Sequence, residues 1–214
     1  SDLVDVINAV FSAAYADGSM QEIAKQYGVQ ESLCEQPAGL TWSAAAGGDV
    51  EAIQKAGKLV VGITDFAPMD YKNEAGEWIG FDADMAKKFA EYLGVEVEFQ
   101  LIDWNNKIME VEKGTIDCVW NGFTANSSDN GKPRSEYVDF TYGYMLNQQC
   151  VVIKADNAET IKTEADLAGK KAGVEGGSAG ESYAASVIGE NGTGKSTLLK
   201  TIMGFIEPLF GNVT

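Results

Sequence analysis

Histidine is missing from all 214 residues, and with it go Ser-His-Asp and Cys-His catalysis and every metal site that needs imidazole. Only carboxylate sets remain for a metal, and none is expected. Basic residues are scarce: 16 Lys and Arg against 32 Asp and Glu give a net charge of −16. Such a surface repels phosphate backbones and anionic headgroups, so nucleic acid and membrane surfaces are poor partners. The three cysteines, Cys34, Cys118 and Cys150, lie far apart, and an odd count cannot close a disulfide framework. No apolar run approaches the roughly 20 residues of a membrane span, and the opening Ser1-Asp2-Leu3-Val4-Asp5 has neither a basic nor an apolar leader region. The expectation is a soluble chain, read without a signal peptide.

What is present suffices for a core, since 45% of the residues are hydrophobic. Leu3, Val4, Ile7, Val10, Phe11, Ala14 and Tyr15 form one helical stripe that Gly18 ends, and a second helix runs from Ser19 to Tyr27 before Gly28. Residues 37–48 are small and aperiodic, as in a linker with a reach of about 40 Å. Strand and helix then alternate. Val50–Ala56 reads as a helix, Lys58–Thr64 as a strand and Met69–Asp82 as a hairpin turning at 73–76. Asp82 is placed to cap a helix carrying Met85, Phe89, Tyr92 and Leu93 that stops at Gly94. A strand at Val95–Ile102, a helix at Asn105–Lys113 and a doubly buried strand at Thr115–Trp120 follow. Further on come a strand at Gln148–Lys154, a helix near Glu164–Ala168, a strand at Lys171–Glu175 and a Gly-rich turn into a helix. The predicted fold class is α/β, a mostly parallel sheet flanked by helices plus a partial second α/β lobe.

Four stretches give this pattern a family likeness. Lys58-Leu-Val-Val-Gly-Ile-Thr-Asp-Phe-Ala-Pro-Met-Asp-Tyr71, Trp78-Ile-Gly-Phe-Asp-Ala-Asp-Met85, Gly114-Thr-Ile-Asp-Cys118 and Pro133-Arg-Ser-Glu-Tyr-Val-Asp-Phe-Thr141 resemble the opening lobe of polar amino-acid-binding proteins. These are the solute receptors of ABC importers, with a periplasmic-binding-protein-like fold of two lobes that close on an amino acid. Leu167 to Glu181 resembles the start of the second lobe. Ala16 to Gly28 resembles the helix pair that normally ends such a receptor, which makes the order similar to a circular permutation. The implied organisation is a helix pair at 1–36, a linker at 37–49, lobe 1 at 50–145 and a partial lobe 2 at 146–184. A strand-helix fragment at 185–214 follows, and a second chain completing the truncated lobe is a further partner to test.

The resemblance assigns the site residue by residue. Arg134, six residues before Phe140, is the implied fork for the ligand's α-carboxylate. Asn126–Lys132 read as an insertion ahead of it, which bears on its aim. As an isolated residue, Arg134 would read as a solvated surface arginine. Phe66 matches the aromatic that stacks on the ligand, and Trp120 is expected to wall the cleft, although a lone aromatic at either place is more often core. Asn121, Gly122 and Thr124 lie where open α/β sheets bind ligands, and Ser178 and Ala179 offer backbone N–H groups at a helix N-terminus. Pairs such as Asp82/Asp84 and Glu110/Glu112 face apart on helices and read as solvated faces. No catalytic residue is expected.

The last 30 residues carry only Glu190, Lys195, Lys200 and Glu207, so their charge is zero and the first 184 hold the whole −16. Gly189-Glu-Asn-Gly-Thr-Gly-Lys-Ser196 fits G-x-x-x-x-G-K-[ST], in which glycines cradle phosphate, Lys195 reaches the terminal phosphates and Ser196 holds Mg²⁺. Gly189, Gly192, Gly194, Lys195, Ser196 and Thr197 are thus an alternative Mg-ATP seat, resembling the nucleotide-binding subunits of ABC transporters. That reading needs Ile188 to end a strand. Two readings stand: an extracytoplasmic receptor that binds a polar or small α-amino acid and meets the membrane subunits of an ABC importer, needing no cofactor, or a nucleotide-binding fragment. A chimera with no intact function is the third.

Overall fold

A computed structural model describes residues 1–189 and the backbone of Thr193–Gly194. It has two compact units, Ser1–Leu146 and Asn147–Thr214. The first begins with helix α1 (Asp2–Ala16), whose N-terminus is closed by the Ser1 hydroxyl accepting from the Leu3 amide at 3.2 Å. Its apolar stripe is buried, with Val6 and Phe11 nearly inaccessible. Helix α2 (Ser19–Gln26) buries Met20 and Ala24 and leaves Ile23 half-buried. Helix α3 (Asp49–Ala56) follows Gly48, which brings no side-chain cap. The Asp2 carboxylate supplies one, accepting from Asp49 N at 2.9 Å and Val50 N at 3.4 Å.

Three parallel strands form the sheet: β1 (Lys58–Ile63) lies at its centre. The hairpin strands β2 (Tyr71–Lys72) and β3 (Trp78–Ile79) pair apart from it, after which helix α4 (Phe81–Leu93) leads to β4 (Glu96–Leu101). Helix α5 (Lys107–Glu112) leads to β5 (Cys118–Val119), giving the sheet order β4-β1-β5. Leu59, Val61 and Ile63, alternate residues on one face of the central strand, are inaccessible because that face is covered, while Val60 on the other is half-buried. Phe81, Met85 and Phe89, four apart on α4, bury against it. The N-terminal helices are tied in at their far end too: Cys34 N donates to Tyr144 O at 3.0 Å and Leu146 N to Ser32 O at 2.8 Å.

Several elements differ from expectation. The strand expected at Thr115–Trp120 pairs only at Cys118–Val119, and both residues are half-buried rather than enclosed. It begins late because the Asp117 carboxylate, at 2.7 Å, takes the Val60 N–H that a longer ladder would use. Asp82 is neither the cap of α4 nor part of a solvated face; Gly80 precedes the helix and Asp82 sits inside the first turn, fully buried.

In the second unit, residues 148–154 form no strand, because no partner ladder meets them among the described residues. Glu164–Leu167 is a short 3-10 helix with a Thr163/Asp166 capping box. After the β-hairpin β6 (Ser128–Asp129) and β7 (Lys132–Pro133) of the first unit, the next strand in the chain is β8 (Ala172–Gly173), which pairs in parallel with β9 (Thr193–Gly194). Helix α6 (Ala179–Ile188) lies between them. Ile188 therefore ends a helix, not the strand that a phosphate loop requires.

Candidate functional site

The C-terminal ends of β1 and β5 open at the same side of the first unit because the strands run parallel. Beyond β1, Thr64 Oγ1 accepts from Asn121 Nδ2 at 2.8 Å, which ties the two strand ends together. Asn121 also accepts the Gly122 amide on its side-chain oxygen at 2.7 Å, fixing the turn that follows. Gly122 lets Phe66 approach: a Cβ there would lie 2.9 Å from the Phe66 ring. Phe66, Asn121 and Gly122 thus stand together at the ends of these strands.

Arg134 follows β7 and is 1% exposed, not the solvated arginine that its type alone suggests. Its Nη1 donates to the Thr124 carbonyl at 3.0 Å, so Thr124 acts by its backbone. Its Nε and Nη2 donate to the two oxygens of Asp129 at 2.9 and 3.3 Å, a fork on a carboxylate. The guanidinium stacks 4.8 Å from the centre of the Phe123 ring. On the other side Lys107, 2% exposed, places Nζ 3.3 Å from the same Asp129 oxygen and donates to the Trp104 carbonyl at 3.3 Å. Lys107 also lies over the rings of Trp104 and Phe123, at 5.1 and 5.6 Å. Two buried cations, one carboxylate and two aromatic faces form one cluster.

Sequence reasoning missed Lys107, Phe123, Trp104 and Asp129. The one signal on offer was the Asn126–Lys132 insertion that carries Asp129. Trp120 is corrected: it is 4% exposed and packs edge-on against Phe11 (5.6 Å) and tilted against Phe89 (5.9 Å), so it belongs to the core between α1 and α4. A tryptophan at a strand end reaches whichever layer its face meets, and here that layer is helical.

Asp70 and Asp82 are both inaccessible, and neither oxygen of Asp70 has a hydrogen-bond partner. Burial raises both carboxyls, Asp70 well above the usual range with the Asp82 charge adding to it, and Asp82 to about 7. The Tyr144 hydroxyl, which donates to the Asn121 carbonyl at 3.4 Å, works in the opposite direction on Asp82.

In the second unit, Ser178 and Ala179 stand at the N-terminus of α6. The Ser178 hydroxyl caps it, accepting the Glu181 amide at 3.1 Å, and the Glu181 carboxylate accepts from Gly177 N at 2.8 Å. The helix end is served by the chain's own carboxylate. Of the proposed nucleotide seat, Gly189 is described with φ 94° and Gly194 as extended backbone. Gly192, Lys195, Ser196 and Thr197 lie outside the described residues. Among the described residues no group of three acidic or cysteine side chains could hold a metal ion, and no helix is long and apolar enough to cross a membrane.

Comparison with known proteins gives this geometry a context. The family model of bacterial extracellular solute-binding proteins, family 3, matches residues 59–209. The L-cystine-binding protein TcyJ of Escherichia coli K12 is 30% identical over 128 residues, 59% of this chain and 46% of that protein. The arginine-binding extracellular protein ArtP of Bacillus subtilis is 32% identical over 142 residues, 65% of this chain and 52% of that one. The chain therefore spans about half the length of the curated relatives it matches. Among solved structures, an ancestral amino acid-binding protein, a precursor of cyclohexadienyl dehydratase, superposes with a TM-score of 0.61 at 34% identity over 68% of this chain and 63% of that one. An ABC uptake transporter substrate binding protein from Streptococcus pneumoniae with bound histidine gives 0.60 at 31% identity, over 71% and 63%. The fold is α/β and periplasmic-binding-protein-like, a parallel sheet flanked by helices.

Proposed function

The chain belongs to the bacterial extracellular solute-binding proteins of family 3, and on that premise we propose that it binds an α-amino acid without catalysis, as the extracytoplasmic receptor of an ABC importer. The observation that carries the reading is Arg134: a guanidinium buried at the open end of β5, aimed by the Thr124 carbonyl and already forked onto a carboxylate. An α-carboxylate asks for that same geometry. Phe66, held over Gly122, offers an apolar face at the same end of the sheet. Relatives named for arginine, cystine and histidine binding support an amino acid as the ligand class.

The finer organisation is part of the same proposal. Residues 1–36 are read as the closing helix pair of the fold placed first, supported by Phe11 of α1 lying against Trp120 and by the pairing of Ser32 and Cys34 with Tyr144 and Leu146. The importer's membrane subunits, and a second chain that completes the second lobe, are the partners it implies. The Mg-ATP alternative, and with it a chimeric origin of the tail, gains no support: Ile188 lies at the end of α6, so the strand that aims a phosphate loop is not there.

A thermal-shift screen of the amino acids tests the reading. A ligand at 100 times its dissociation constant adds about 2.7 kcal/mol, roughly 5–10 °C for a chain of this size. Arg134→Ala is expected to abolish the shift. It also costs stability, about 3–5 kcal/mol at most, because it takes one partner from a buried ion cluster; the small cost expected of a surface arginine does not apply. If no amino acid moves the wild-type transition, the receptor reading is wrong.

A further inference from the structure

We propose that Asp129 is a resident carboxylate that competes with the ligand's α-carboxylate for Arg134, so that ligand binding exchanges one carboxylate for another and is governed by the hairpin that carries Asp129. The inference rests on the receptor reading above and adds to it a built-in competitor and a second cation, Lys107.

The hairpin is encoded locally. Asp129 and Lys132 pair across β6 and β7, and the two residues between them, Asn130 and Gly131, both have positive φ, 52° and 78°. Asn-Gly with both residues left-handed is the tight turn whose twist suits a two-residue hairpin. The ladder is closed by Arg134 N donating to Ser127 O at 3.0 Å, and the Tyr137 hydroxyl donates to Asp129 O at 3.3 Å. Asp129 is thereby presented in a fixed register to the arginine five residues on, rather than left to wander on a loop.

The geometry at Arg134 sets the ligand against Asp129 for one fork. A guanidinium grips a carboxylate bidentately along one of two edges. The Nε/Nη2 edge holds the two oxygens of Asp129, and Nη1 donates to the Thr124 carbonyl, which fixes the plane of the guanidinium. A ligand carboxylate that takes the fork must displace Asp129, and two carboxylates crowded on one guanidinium repel. Lys107, 3.3 Å from Asp129, is the second cation of the same seat and serves whichever carboxylate is present. Displaced, Asp129 has an outlet, because its side chain keeps 13% exposure while Arg134 keeps 1%. The carboxylate moves and the cation stays.

The test is isothermal titration of wild type and Asp129→Asn with L-arginine, L-glutamine, L-histidine and L-cystine, together with amide hydrogen exchange over residues 126–134 of the wild type with and without the amino acid that binds. Competition predicts that Asp129→Asn binds at least tenfold tighter, about 1.4 kcal/mol, and that the ligand speeds exchange at the wild-type Arg134 amide as the hairpin lets go. Equal or weaker affinity in Asp129→Asn, with the hairpin amides unchanged or slowed by ligand, overturns the proposal and leaves the receptor reading intact. If Asp129→Asn fails to fold, the wild-type exchange decides alone: faster supports the proposal, unchanged or slower overturns it. If neither protein binds any amino acid, the receptor reading falls and the competition falls with it.

Discussion

Replacing Phe11 by alanine is the sharpest probe of how the N-terminal helix belongs to the rest. Phe11 is 1% exposed and meets the Trp120 ring at 5.6 Å and the Tyr144 ring at 5.3 Å, both edge-on. Truncating a buried phenylalanine costs about 3–5 kcal/mol through lost transfer and a cavity, and two edge-to-face partners, worth about 0.5–1.5 kcal/mol each, place this site in the upper half of that range. The two partners come from the residue after β5 and from the last residues of the first unit, so the cavity cannot close by shifting one element. For a chain of this length the melting temperature should fall by about 10–15 °C, read by circular dichroism and by urea denaturation. Ala13→Ser, on the exposed face of the same helix, should stay within about 0.5 kcal/mol. A loss below about 1 kcal/mol in Phe11→Ala, or a separate early transition for α1, would refute the reasoning that residues 1–36 fold as part of the first unit.

Two further outcomes follow from buried positions near the site. Gly80→Ala should cost more than about 3 kcal/mol in urea melts, since Gly80 has φ 124° and a Cβ there would lie 2.1 Å from the Met69 carbonyl oxygen, a backbone atom that cannot swing away; a loss under 1 kcal/mol would show that the β3–α4 junction relaxes. Asp82→Asn should change how stability depends on pH. Burial raises the Asp82 carboxyl to about 7, so between about pH 4 and 7 the native state holds a proton that the unfolded state has released, and stability falls as pH rises, by at most about 1.4 kcal/mol per unit. Asparagine removes that proton, so the variant should gain on the wild type from pH 4.5 to 7.5; a difference constant across that range would count against the buried neutral carboxyl.

Local signals in the sequence explain most of the first unit and little of the cluster at its centre. The 3.6-residue stripe of α1 and the Phe81, Met85, Phe89 spacing of α4 state which face is buried, and the structure buries those faces. The strand at Gln148–Lys154 failed because apolar alternation supplies a face but not a partner, and no ladder meets it among the described residues. Trp120 was misread because β5 pairs over two residues only, too short for alternation to fix which layer its end meets. Lys107 and Asp129 were invisible for a different reason. A lysine opening a short helix and an aspartate in a polar insertion read singly as solvated charge. Only the closure of a 22-residue chain segment sets Nζ 3.3 Å from the carboxylate. Arg134 is singled out by its motif neighbours, not by its own chemistry, since its burial does not show in the sequence.

The energetics of the cluster speak about its purpose. In a chain with 16 basic residues and a net charge of −16, Lys107 and Arg134 are buried to 2% and 1% beside one carboxylate. Burying ions is costly, and apolar side chains of similar volume would commonly hold such a place as well or better. The structure offsets the cost with the Trp104 and Thr124 carbonyls and with the faces of Trp104 and Phe123. Those groups orient the cations but contribute nothing a hydrophobic plug would need. Stability alone therefore does not account for two cations aimed at one point at the open end of the sheet, and the carboxylate recognition proposed above is consistent with it. The net charge of −16 fits the proposed ligand: it repels anions at a distance, while a zwitterion carries no net charge and would meet the positive seat only on contact.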